Sequence, residues 1–162
     1  MSKWRINKVS MAVPEGAKKH GPDDSGLIVH TLKGRPVRWE WVVTDMGERG
    51  HDYKDYEPGE GNHRGHVMSV QEGAGDTDLA DSELNIVPQT PTVNLSNVKR
   101  FENWRVENAV GCKVVVVQPE ANGMMTVEIK DSDPPIKTTF DPLSDNRWPD
   151  DPPWFTQPGP WT

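Results

Sequence analysis

The chain has 162 residues, 33% of them hydrophobic, with a mean hydropathy of −0.75 and a net charge of −7. That is room for one domain with its own core, not two comfortable ones, and no apolar run approaches the roughly 20 residues that span a bilayer. A single cysteine, Cys112, excludes an intrachain disulfide and a CxxC metal site, and the acidic balance argues against a simple electrostatic nucleic-acid binder.

The charge is unevenly placed. Twelve acidic and three basic residues lie between Glu40 and Glu83, a balance of −9 against +2 for the rest. Fifteen prolines and fourteen glycines imply many turns. Residues 1–25 hold Pro14, Gly16, Gly21 and Pro22 without a sustained period, and read as an N-terminal arm. The opening MSKWRINKVS lacks the apolar stretch of a conventional secretory signal. Two β-rich runs, LIVHTL and RPVRWEWVVTD, flank Lys33-Gly34 and predict a hairpin. In the second run Val37, Trp39, Trp41 and Val43 fall on one face, and Arg38 and Glu40 on the other. The tryptophan pair reads as core packing.

Residues 46–62 form a polar loop, HVMSV a short strand, and residues 71–83 a second acidic loop. LNIVPQ predicts another short strand, stopped by Pro88. From Asn94 to Val110 the pattern is helical, with Val98, Phe101, Arg105 and Ala109 on one stripe and Val106 beside it. Gly111 is a natural stop. CKVVVVQ and MMTVEIK around PEANG predict a second hairpin, with Cys112 opening a buried strand. Residues 141–162 carry six prolines and three tryptophans and read as an extended tail. The domain proper is therefore residues 26–140.

The middle of the chain reads strand–loop–strand–helix, and chemistry-bearing residues collect there. GNHRGHV holds two of the five histidines and an arginine. Neutral imidazole suits a general base because its ordinary pKa lies near about 6.5. Arg64 lies two residues before His66 and can hold a phosphate. Asn94 and Glu102 are eight residues apart, about 80° around a helix axis, so both can face the strand pair. Mg²⁺ prefers oxygen donors and keeps most of its waters, so one amide or carboxylate can hold it. Each residue also has a plain reading. Asn94 suits an N-cap, Glu102 a solvated helix face and Asn85 a turn. A zinc site on His51, His63 and His66 has no spacing to fix it.

Taken together, RGH at 64–66, NIVPQ at 85–89, Asn94 and Glu102 resemble the non-specific DNA/RNA endonuclease family, the His-Me finger (ββα-metal) nucleases. That family carries D-R-G-H, then N-[IL]-[TV]-P-Q, then a helix-opening Asn and a Glu eight residues on. The likeness spans about residues 34–130 and is nearest to the compact bacterial toxin-type group. One position departs: His63 stands where the family has an acid.

The resemblance implies an α+β single domain with a ββα-metal core and flanking antiparallel strands. It implies hydrolysis of phosphodiester bonds in DNA, and in RNA as a second substrate. His66 becomes the general base. Asn94 ligates Mg²⁺, with Mn²⁺ as a substitute. Glu102 ligates the metal or holds a metal-bound water. Arg64 contacts the phosphate, Asn85 braces the site from the second strand, and Gln89 helps hold the helix start. Substrate contacts fall to Arg64, His63, Gln89, Lys99 and Arg100, and Arg105 adds positive charge to the helix. The group further implies an antibacterial effector, delivered by a secretion system without a conventional signal, acting in a target cytoplasm and neutralised by an immunity protein. The competing class is a non-catalytic protein-interaction module with a vestigial site.

Overall fold

Period-two alternation decides the main sheet. Val37, Trp39, Trp41 and Val43 are all buried, whereas Val42 between them is 48% exposed. The computed structural model describes residues 8–44, 61, 63–69, 72, 79–80, 82–90, 98–132 and 135–144. Eight strands and one helix lie in chain order among them: β1 (Lys18–His20), β2 (Ile28–Leu32), β3 (Arg35–Val42), β4 (His63–His66), β5 (Ile86–Gln89), α1 (Val98–Asn108), β6 (Lys113–Val117), β7 (Met125–Lys130) and β8 (Ile136–Phe140). The fold is α+β.

Six strands form one antiparallel sheet in the order β1-β2-β3-β6-β7-β8. The hairpin from β2 to β3 turns on Lys33 and Gly34, with φ of 53° and 80°. Two successive positive φ values define the mirror-image tight turn that matches strand twist, and glycine takes its second place without strain. β6 and β7 pair as the second hairpin. The long excursion from residue 43 to residue 112 then returns to the sheet, because β6 pairs directly with β3, Trp39 opposite Val116 and Trp41 opposite Val114.

That excursion carries β4, β5 and α1, and it packs on the tryptophan face. Val67, Met68, Ala80, Val87, Phe101 and Trp104 join Trp39, Trp41, Val114, Val127 and Ile129 in one buried cluster. Layering an excursion on one sheet face is how a domain of this size buries both apolar surfaces. The Trp39 indole N–H donates to the Leu84 carbonyl at 2.6 Å and pins the approach to β5. Among the described residues no helix is long and apolar enough to cross a membrane.

The structure changes several sequence expectations. The arm reading of residues 1–25 stops short, because Lys18–His20 joins the sheet as an edge strand against β2. The short strand expected at HVMSV, residues 66–70, lies earlier: β4 is His63–His66, and Val67–Ser69 bends away after it. Pro88 does not stop β5 but lies within it, opposite Arg64. The Val67 N–H donates to the Asn85 carbonyl, which makes 67/85 a hydrogen-bonded pair. Alternation then makes 64/88 a non-bonded pair, so the missing proline N–H does not face β4. The helix ends at Asn108, short of Val110, and Trp104 shares its buried stripe with Phe101, Arg105 and Ala109. Residues 91–97 and 145–162, which hold the expected helix start and most of the tail, lie outside the described residues.

Candidate active site

β4 and β5 pair antiparallel, with His66 opposite Ile86, Gly65 opposite Val87, Arg64 opposite Pro88 and His63 opposite Gln89. The two sequence signatures, RGH and NIVPQ, are thus the two strands of one ladder. His66 ends β4 and is half-buried. Three sets of contacts fix that end of the strand.

Asn85 provides the first. It closes a single 3₁₀ turn, Glu83–Asn85, started by Ser82, whose side chain accepts from the Leu84 N–H. Asn85 is fully buried, and its amide is fully used. Oδ1 accepts from the Met68 N–H at 2.9 Å, and Nδ2 donates to the carbonyls of Met68 at 3.0 Å and Ala80 at 2.8 Å. A buried amide with every group matched is a rigid clip. It holds the backbone two residues beyond His66.

The second contact explains a glycine. A Cβ at Gly65 would collide with the side-chain amide of Gln89. Gly65 and Gln89 are diagonal neighbours across the ladder, on the same face. Only glycine lets the Gln89 side chain lie over β4 at this point. Gln89 is itself buried, at 2% exposure, and its Oε1 has no hydrogen-bond partner.

The third contact ties β4 to α1. The Ser69 N–H and hydroxyl both donate to Glu72 Oε2 at 2.9 Å. Arg105 on α1 grips the same carboxylate with two donors, Nε to Oε1 and Nη2 to Oε2, the latter at 2.7 Å. Glu72 is 0% and Arg105 2% exposed. The guanidinium lies 4.0 Å from the Phe101 ring centroid and 5.5 Å from that of Trp41. A bidentate pair flanked by aromatic faces is the arrangement that makes a buried charge tolerable.

The expectation that Arg105 adds positive charge to the substrate face therefore fails. Its charge is matched by Glu72 and taken out of solvent. Glu72, counted with the acidic loops, is equally removed from the surface. Sequence reasoning passed over this pair, although a signal was present: an arginine at a core position of the helical stripe requires a buried acid somewhere.

The remaining expected site residues divide by position. Glu102 and Arg100 are half-buried on α1, flanking the buried Phe101. His63, Arg64 and Lys99 have described backbones, in β4 and α1, but their side chains lie outside the described residues, as do Asn94 and His51 altogether. Among the described residues no three His, Cys, Asp or Glu side chains are grouped so as to hold an ion. The donor chemistry that remains, the Glu102 carboxylate on α1 and the Asn94 amide eight residues before Glu102, is the hard oxygen set that suits Mg²⁺. No family model, curated protein or solved structure matches the chain.

Proposed function

We propose that the protein is a metal-dependent, sequence-non-specific endonuclease acting on DNA, and on RNA as a second substrate. One observation carries the reading. The strand ending in His66 pairs in register with the strand of NIVPQ, and the helix bearing Glu102 follows and is tied to them through Ser69, Glu72 and Arg105. This strand–strand–helix order supports a ββα-metal core. In this reading the His66 imidazole takes a proton from the attacking water. Arg64 holds the phosphate, while Lys99 and Arg100 add cations on α1. Asn94 and Glu102 would hold Mg²⁺, which supplies charge stabilisation at the phosphate and the leaving oxygen. Asn85 keeps the backbone after His66 in place, and Gly65 admits the Gln89 side chain over β4.

The same reading makes the chain an antibacterial effector whose acidic loops, residues 45–60 and 72–83, dock an inhibitory partner. The test is incubation of the protein with plasmid DNA and with structured RNA, in Mg²⁺ or Mn²⁺ and in EDTA. Cleavage is expected with metal and absent with EDTA. His66→Ala should abolish it while leaving thermal unfolding unchanged. Intact DNA and RNA in both metals would sink the enzyme reading and leave the interaction module standing.

A further inference from the structure

The chain is acidic, but one groove on it is basic. Two clefts, of about 420 Å³ and 340 Å³, lie at the end of the sheet where β2 turns into β3. Both are lined by Lys33, Gly34 and Leu84, so they adjoin at the β2–β3 turn and are treated together as one groove. Lys18 and His20 line the smaller cleft, Arg35 the larger. Lys18 and Lys33 are exposed, and among the described residues neither has a carboxylate partner. Among the described residues the Arg35 guanidinium is held by carbonyls alone, those of Pro36, Gln118 and Pro119, which fix the charge in place without cancelling it. Elsewhere Arg38 and Lys113 are matched by Glu40, and Arg105 by Glu72. Among the described residues the single carboxylate lining the groove is the exposed Glu83.

The floor of the larger cleft is apolar, formed by Leu84, Ile86, Val87 and Pro88. Cations along an apolar floor suit a ligand that alternates phosphates with flat, weakly hydrated rings. A volume of about 420 Å³ is within the range that encloses a small-molecule-sized group and far too narrow for a duplex. The same residues 86–88 pair with 64–66 of β4, and paired strands run about 4.8 Å apart. A chain held in the groove therefore runs beside the strand that ends in His66.

We infer that this groove binds single-stranded nucleic acid, with Lys18, Lys33 and Arg35 on the phosphates and the Leu84–Pro88 floor against a base. The inference rests on the nuclease reading only for what lies at the end of the track. It also answers the objection of net charge: the polyanion is met by a local stripe of unpaired cations.

The test uses the full chain carrying His66→Ala, in EDTA, with a fluorescent single-stranded DNA of about ten nucleotides and its RNA counterpart, titrated by anisotropy across a salt series. Lys18→Glu with Lys33→Glu should weaken binding by about tenfold or more and lower the salt slope by about 1.4. Lys19→Glu with Lys137→Glu changes net charge equally at positions outside the groove, and should leave affinity nearly unchanged. All four lysines lie on the surface or at its margin, and thermal unfolding checks the fold of each variant. Equal weakening by both pairs, no weakening by either, or no binding at low salt overturns the groove. The two readings fail separately. If the chain cleaves plasmid and the groove pair binds like the parent, the groove falls and the nuclease stands. If binding depends on the groove and the chain cleaves nothing, the nuclease falls and the groove stands.

Discussion

Gly65 is the residue on which the two halves of the motif meet. Its lack of a side chain is what lets the Gln89 amide lie over the strand. Gly65→Ala should destabilise the protein by about 1–3 kcal/mol through overpacking, measured by urea denaturation. Adding Gln89→Ala should recover part of that loss. A double variant as unstable as the sum of its parts would show that the two residues are not in contact. Cys112 offers an independent check on its surroundings. Burial, and then the nearby Asp131 carboxylate, push its thiol pKa above the ordinary value. Alkylation at neutral pH should be slow in the native protein and fast in denaturant. Rapid native labelling would mean that the junction before β6 is open.

Among the elements, the decisive joint is that between β4 and α1. Neither is long, and the pair β4–β5 has only four residues on each strand. A two-stranded ladder of that size is marginal alone, so its position must come from outside. Asn85 clips it to the turn before β5, and Glu72 clips it to the helix. Removing one partner of the buried pair leaves a charge without its match. Glu72→Gln or Arg105→Met should each cost about 3–5 kcal/mol in chemical denaturation. The double variant should cost much less than their sum. If the nuclease reading is right, Arg105→Lys, which keeps the charge but loses the two-pronged grip, should reduce cleavage more than it reduces stability. Additive losses in the cycle would show that the pair does not act as a unit.

Over the whole molecule, acid should weaken the sheet in two separate windows. His30 is 7% exposed, and its Nδ1 has no partner. Burial, and then the Arg38 charge, lower its pKa below the ordinary 6.5, while Glu40 opposes them. The unfolded chain therefore binds the proton first. The stability from keeping His30 neutral is complete above about pH 6.5 and falls as pH drops below that. Glu40 behaves in the same direction at lower pH. Burial raises its pKa, but hydrogen bonds from Lys113 and Arg38 outweigh burial and hold the carboxyl below the ordinary 4.5. Its contribution is present above that value and is lost as pH falls through it. Melting temperature against pH should thus decline in two steps. His30→Gln should flatten the upper step and Glu40→Gln the lower. A profile unchanged by His30→Gln would remove His30 as a cause.

The sequence by itself determined what depends on near neighbours. The Lys33-Gly34 turn, the inward set Val37, Trp39, Trp41 and Val43, the hairpin of β6 and β7 and the order strand–strand–helix around His66 all follow from local periodicity and turn chemistry. Only the tertiary structure decided which distant segments meet. It paired β3 with β6 across the whole excursion that carries His66, drew Lys18–His20 into the sheet and kept Pro88 inside β5 because its missing donor faces away from β4. It also turned Arg105 from an expected surface cation into half of a buried pair. Alternation along one strand says which face is apolar but not which strand lies beside it, and a charge in a sequence shows its partner only when folding brings the two within reach.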